Sequence, residues 1–89
     1  MQTFVAERNL KGISMDQLAD AQKRAIECAD RTSRAGRSVR YLHSTFVPET
    51  GVCMCLFEAE SAADVEQVNR DANVPFTRVL PAMDLAPAA

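Results

Sequence analysis

Two thiols and one imidazole are the side chains of this sequence best suited to chemistry. Residues 52–58 read VCMCLFE, so Cys53 and Cys55 flank Met54, and the chain holds 3 cysteines in all. A Cys-Met-Cys segment can bind a soft metal ion, form a redox pair, or be one stripe of a buried strand. The single histidine, His43, is a candidate general base and a candidate metal ligand. The faces on which these side chains lie decide between the alternatives.

Length and composition narrow the function classes. A chain of 89 residues makes one small domain. Its 12 acidic and 10 basic side chains nearly cancel and form no basic block, so we expect no nucleic-acid partner. No apolar run approaches the ~20 residues that span a bilayer, so we expect no membrane role. The first residues show no signal-peptide pattern, which argues against secretion. Three cysteines without a disulfide spacing favour reduced thiols and a cytoplasmic location.

The first half of the chain predicts a strand, a helix and a second strand. Residues 3–8 are β-rich and are followed by the breaker sequence NLKG. A helix is expected to begin at Ser14, because Gln17 three residues later completes a capping-box pattern. Gly36 is a plausible stop for that helix. Residues 38–47 then alternate and are rich in β-branched and aromatic side chains, as strands are.

The second half repeats this order after a turn. The sequence PETG supplies turn chemistry, and residues 52–60 form the second strand of a predicted β-hairpin. Ser61 with Asp64 three residues on predicts another helix start. The segment PFTRVLPAM is a last strand, and residues 85–89 form an Ala/Pro tail that we expect to be disordered.

The order β-α-β-β-α-β predicts a ferredoxin-like α+β fold for a single domain of residues 1–84. Both helices then cover one face of an antiparallel sheet, and the other face is too apolar to be left to water. We expect a symmetric homodimer in which two sheets meet and form an α+β barrel around a cavity. The side chains predicted on that second face include Val5, Val39, Tyr41, Val47, Val52, Met54 and Leu56.

The hairpin register decides which side chains share a face. If Val47 lies opposite Val52, then His43 lies opposite Leu56 and Tyr41 lies opposite Glu58, all facing the dimer cavity. The same register turns a second set toward the helices, namely Leu42, Ser44, Phe46, Cys53, Cys55 and Phe57. A slip of one residue at the turn is the alternative, and it would place His43 beside both cysteines, as a soft-metal site requires.

The spacing of the two cysteines argues against a shared metal ion. On an extended strand, residues i and i+2 lie about 6.6 Å apart. This separation is too long for two metal–sulfur bonds of about 2.3 Å to one ion, and too long for a disulfide. Free cysteine also packs as a small hydrophobic side chain. We therefore expect Cys53 and Cys55 to be part of the core under the helices.

A polar cluster is expected in the dimer cavity, formed by Glu7, Tyr41, His43, Met54 and Glu58. One interpretation is a cavity that binds a metal ion or a small ligand. A second is a cofactor-free oxygenase or isomerase for a small hydrophobic substrate, with His43 as general base and Tyr41 or Glu58 orienting it. A third is a polar network that only fixes the dimer.

Three segments of the sequence resemble a bacterial family of short ferredoxin-like proteins, mostly of unknown function, that includes a nickel-binding dimeric protein. The segments are VAERNLKGIS, VRYLHSTFVPETGVCMCLFEAESAADV and NVPFTRVLPAM. The resemblance implies a homodimeric α+β barrel and makes nickel or another divalent metal ion a candidate ligand. Nickel sites favour imidazole, so such a site would use His43 with the carboxylates of Glu7 or Glu58, or ligands from both subunits.

Overall fold

The computed structural model describes residues 1–85 and 87, so Ala86, Ala88 and Ala89 of the expected disordered tail lie outside the described residues. The four strands form one antiparallel sheet in the order β2-β3-β1-β4, and the predicted ferredoxin-like α+β fold is confirmed. The elements are β1 (Gln2–Asn9), α1 (Met15–Arg34), β2 (Val39–Val47), β3 (Val52–Ala59), α2 (Ala62–Asp71) and β4 (Arg78–Ala82).

Both helices begin where the sequence predicts. At α1 the backbone N–H of Gln17 donates to Ser14 Oγ at 3.1 Å, and Ser14 N–H donates to Gln17 Oε1 at 3.0 Å. This reciprocal pair is the capping box, and it satisfies two backbone donors that a helix start otherwise leaves free. At α2 the backbone N–H of Asp64 donates to Ser61 Oγ at 3.3 Å.

The core lies between the two helices and one face of the sheet, which we call the inner face. Small side chains of α1 (Ala21, Ala25, Cys28 and Ala29) are buried there. The sheet contributes Phe4, Ala6, Val39, Cys53, Cys55, Phe57 and Ala59, all buried, and α2 contributes Val65 and Val68. Within the described residues, no helix is long and apolar enough to span a bilayer.

A β-bulge in β2 changes the predicted faces of its first residues. From the turn to His43 the register is as expected, with Val47 opposite Val52 and His43 opposite Leu56. The ladder then shifts, so Tyr41 pairs with Phe57, and Leu42 is the extra residue. Such an insertion moves the residues beyond it to the opposite side of the sheet.

Three predictions fail because of this bulge. Tyr41 does not lie opposite Glu58, whose partner is instead Arg40, and Val39 is a buried residue of the inner face, opposite Ala59. Leu42 likewise does not pair with Phe57. A strict two-residue alternation counted from the turn cannot detect an inserted residue, and the sequence around Leu42 contains no glycine that would mark it.

The hairpin turn is fixed against the loop that follows β1. Gly51 has a φ of 79°, its N–H donates to Val47 O at 2.8 Å, and its own carbonyl accepts from Leu10 N–H at 2.7 Å. A Cβ at Gly51 would lie 2.4 Å from the Cα of Lys11. Glycine is therefore required here both for the left-handed backbone and for this close approach.

Gly51→Ala is expected to lower the free energy of unfolding by about 3 kcal/mol, because a backbone clash adds to the cost of the left-handed conformation. Gly12→Ala is the matched control, since Gly12 has a φ of 85° but no atom within 4 Å of the added Cβ. The control is expected to lose only about 1 kcal/mol. Urea denaturation of the two variants measures the difference, and equal losses would show that Lys11 moves aside at little cost.

Candidate functional site

The side of the sheet away from the helices, which we call the open face, carries apolar side chains that are accessible in the single chain. Val47 is 38% exposed, Val52 40%, Met54 37% and Leu80 37%. Val5 and Leu56 lie on the same face and are half-buried. The same face also carries the ion pairs Glu7–Arg78, Arg40–Glu58 and His43–Asp84, so the open face combines exposed apolar side chains with paired charges.

His43 lies on the open face and is paired with an acidic residue that the sequence analysis did not select. Its Nε2 lies 3.2 Å from Asp84 Oδ2, and both side chains are about half exposed. His43 is on β2 and Asp84 follows β4, and these strands form opposite edges of the sheet. This contact therefore joins the segment after β4 to the strand at the opposite edge of the sheet. No periodic pattern predicts a contact between residues so distant in sequence.

The two glutamates predicted to join His43 are each paired with an arginine. Glu7 lies on the open face, as expected, where it pairs with Met54, and its Oε2 accepts a hydrogen bond from Arg78 Nε at 2.8 Å. Glu58 Oε1 lies 3.5 Å from Arg40 Nη1. In the described part of a single chain, no three His, Cys, Asp or Glu side chains form a group that could hold a metal ion.

Tyr41 lies on the inner face, on the other side of the sheet from His43. Its ring packs edge-on against Phe57, with centroids 5.4 Å apart and an interplanar angle of 82°. Its hydroxyl accepts a hydrogen bond from Gln22 Nε2 at 3.0 Å and is hydrogen-bonded to Ser44 Oγ. The predicted cluster of Tyr41 with His43 and Glu58 is therefore divided between two faces.

A cavity of about 180 Å³ lies between α1 and the inner face. Its polar lining residues are Arg8, Gln22, Tyr41 and Ser44, and its sulfur-bearing ones are Cys53 and Cys55. The rest of the lining is mainly apolar, namely Leu10, Leu18, Ala21, Ala25, Phe46 and Val74. This space is internal to one chain and separate from the cavity expected between subunits.

The two cysteines are buried on the inner face, as expected, but their thiols are closer than the strand spacing suggests. Cys53 Sγ and Cys55 Sγ lie 3.8 Å apart, and Ser44 Oγ donates a hydrogen bond to Cys55 Sγ at 2.9 Å. The side chains lean toward each other, so the separation of about 6.6 Å along the strand does not apply to the sulfur atoms. The prediction that the pair is too far apart to share one ion is therefore wrong for the thiols.

Burial raises the pKa of the Cys53 thiol to about 12. The neighbouring Cys55 contributes in the same direction, through its charge and its hydrogen bond, and the nearby positive charge of Arg8 acts in the opposite direction. Cys53 is therefore protonated at neutral pH. A protonated, buried thiol is a poor nucleophile, which argues against a peroxide-reducing or disulfide-exchanging role for the pair.

Arg8 is a buried charged residue of the inner face that the sequence analysis did not select. Its side chain is only 3% exposed. Nη2 donates to Asn69 Oδ1 at 2.8 Å and Nη1 donates to Pro75 O at 3.1 Å. Alternation along β1 does place Arg8 with Phe4 and Ala6, so the signal was present. In the described residues, Arg8 has no acidic partner and its Nε has no acceptor.

A known protein family matches nearly the whole domain. A family model described as "Nickel responsive protein SCO4226-like" matches residues 4–81. The chain belongs to this family. The resemblance noted from the sequence to a bacterial ferredoxin-like family is thereby confirmed.

One solved structure is similar to this SCO4226-like chain. The crystal structure of SCO4226 from Streptomyces coelicolor A3(2) superposes with a TM-score of 0.79 and 22% sequence identity, covering 94% of this chain and 99% of the other. At this identity the likeness shows the fold. Comparison with curated proteins gives no match.

Asn69→Ala is expected to lower the free energy of unfolding by about 3 kcal/mol, because it removes the side-chain acceptor of a buried guanidinium. Asn69 also donates from Nδ2 to Val65 O at 2.8 Å, and this bond is lost too. Asn9→Ala is the control, since that side chain is exposed and, within the described residues, accepts a single hydrogen bond, from Lys11 N–H at 3.1 Å. The control should lose about 0.5 kcal/mol. A similar small loss at Asn69, measured by thermal or urea unfolding, would mean that water solvates Arg8.

Proposed function

We propose that this SCO4226-like chain is a metal-binding homodimer, with a divalent ion of the nickel(II) type held on the open face by His43 and Asp84. The observation that carries the proposal is the 3.2 Å separation of His43 Nε2 and Asp84 Oδ2 on an accessible surface. The description of the family as nickel responsive supports the choice of ion.

The donor set fits such an ion. Two metal–ligand bonds of about 2.1 Å meeting at a right angle span about 3.0 Å, close to the separation of these two atoms. Imidazole nitrogen and carboxylate oxygen are ligands that nickel(II) accepts, and an N/O site binds it more tightly than manganese, iron or cobalt. Two protein ligands alone make a weak site, so further ligands must come from water or from a second chain.

Glu7 and Glu58 are further candidate ligands of the proposed site. Each carboxylate is paired with an arginine in the single chain, Glu7 with Arg78 and Glu58 with Arg40. These arginines are exposed, so their ion pairs are weak and can be exchanged for a metal ion at little cost. Met54, on the same face, is a soft thioether and a poor ligand for nickel(II) with oxygen donors, so we assign it to packing.

A second copy of the chain is the proposed occupant of the open face. An identical sheet would bury the exposed apolar side chains, and the open face carries both signs of charge, so a two-fold arrangement can place Glu7 or Glu58 near an arginine of the other subunit. Such a dimer encloses His43 in the cavity between the sheets. Each chain has three buried free cysteines, which supports the reducing cytoplasm as the location of the protein.

Calorimetric titration with nickel chloride tests the metal site. The wild-type protein is expected to bind with a dissociation constant in the micromolar range or tighter. His43→Ala and Asp84→Asn should each weaken binding at least about 10-fold, because each removes one of the few protein ligands. Asp30→Asn, at an exposed position of α1 away from the open face, is the control and should bind as wild type does.

The nickel proposal fails if the wild-type protein binds nickel no more tightly than the His43→Ala variant does. Loss in His43→Ala but not in Asp84→Asn would instead reject Asp84 as a ligand. In that case Glu7→Gln and Glu58→Gln identify the carboxylate that completes the site.

Sedimentation equilibrium tests the dimer. Met54→Glu is expected to raise the dimer dissociation constant by at least about 10-fold, because it would bury an unpaired charge between the sheets. Met15→Glu is the matched control, since Met15 is 70% exposed in the first turn of α1, where an acidic residue is tolerated. A monomeric wild-type protein, or an equal effect of the two variants, would contradict pairing through the open face.

The second candidate is a cofactor-free oxygenase or isomerase with His43 as general base. It is favoured by the hydrogen bond between His43 Nε2 and Asp84 Oδ2, because a carboxylate on one ring nitrogen can orient an imidazole for proton transfer. Tyr41 cannot serve as the orienting residue within one chain, since it lies on the inner face. Tight nickel binding that depends on His43 would favour the metal-binding role over this one.

A further inference from the structure

Two thiols on the inner face have the spacing of ligands to one ion. Cys53 Sγ and Cys55 Sγ are 3.8 Å apart. Two metal–sulfur bonds of about 2.3 Å meeting at a tetrahedral or trigonal angle span about 3.8–4.0 Å. The thiols therefore need almost no movement to bind the same ion. They also border the cavity of about 180 Å³, which leaves room for an ion and a small additional ligand.

The charge of this cavity indicates which ion it would hold. Arg8 lies directly opposite Cys53 in the sheet, it borders the same cavity, and it has no acidic partner among the described residues. A buried positive charge without a counter-charge is costly. A monovalent ion on two thiolates forms a complex with one negative charge, which neutralises the guanidinium. A divalent ion forms a neutral complex and leaves the guanidinium uncompensated.

We propose that Cys53 and Cys55 form a buried site for a soft monovalent metal ion of the copper(I) class, with Arg8 as its counter-charge. Thiolate sulfur selects such ions over harder ones. On binding, each thiol gives up its proton to solvent, so two S–H bonds are replaced by two metal–sulfur bonds and no oxidation state changes. This site is independent of the nickel proposal, because it lies on the other face of the sheet.

A line of hydrogen bonds connects the site to the surface. Gln22 is exposed on α1 and donates to Tyr41 OH, which is hydrogen-bonded to Ser44, and Ser44 donates to Cys55 Sγ. A donor aimed at sulfur stabilises the thiolate that a metal ion requires.

Anaerobic competition with the copper(I) complex of bicinchoninate tests the proposal on the full chain. Wild type is expected to take up one copper(I) ion per chain. Cys53→Ala and Cys55→Ala should each weaken binding at least about 100-fold, because each leaves a single thiolate. Cys28→Ala is the control, since Cys28 is an equally buried free cysteine in α1. An equal loss in that variant, or wild-type affinity in Cys53→Ala, would overturn the site.

The counter-charge has its own test. Arg8→Met should weaken copper(I) binding about 10-fold or more, and Arg8→Lys, which keeps the charge, should restore most of the affinity. Wild-type affinity in Arg8→Met would overturn the role of Arg8. His43→Ala should leave copper(I) binding unchanged, while the cysteine variants should leave nickel binding unchanged.

X-ray absorption of the wild-type protein loaded with copper(I) keeps the proposal testable if a cavity variant does not fold. Two sulfur ligands at about 2.3 Å are expected. A spectrum with only nitrogen and oxygen ligands would overturn the proposal.

Discussion

The β-bulge at Leu42 divides the side chains of β2 between two chemical environments. Residues from His43 to the turn keep the alternation set by Gly51, and Tyr41 lies on the other side of the sheet because one residue is inserted. The imidazole is thereby presented on the open face, and the phenol is placed under α1, where it reaches Ser44. Without the inserted residue, Tyr41 would face the open side and the inner cavity would lose its hydrogen-bond connection to the helix surface.

The inner face combines packing with an unusual charge. Most of its residues are small or apolar, and the short side chains of α1 let the helix approach the sheet closely. Arg8 is the exception, and it holds β1 to α2 through Asn69 and to the following loop through Pro75. Because a guanidinium has five donors in a rigid fork, it can bind both partners and still retain an unmatched charge. Arg8 therefore both connects β1 to its neighbours and places a positive charge in the inner face.

The sequence was sufficient for the fold and insufficient for the site. Helix starts, the hairpin and the element order follow from local patterns, namely the capping at Ser14 and the turn before Gly51. The placement of Tyr41 failed because an insertion in a strand leaves no periodic signal. The partner of His43 was missed because Asp84 reaches it only through the three-dimensional path of the chain. The thiol separation was misjudged because it depends on side-chain rotamers, whereas alternation describes only Cα positions.

The contact between His43 and Asp84 also bears on how firmly the sheet edges are held. It joins the segment after β4, the shortest strand, to β2 at the opposite edge, so two elements with no shared ladder are coupled through one imidazole. Local opening of an edge strand is governed by the few contacts that close it. Binding of a ligand at His43 should therefore change the hydrogen-exchange rates of the β4 amides. Binding on the open face can then be detected at β4, although the histidine lies on β2.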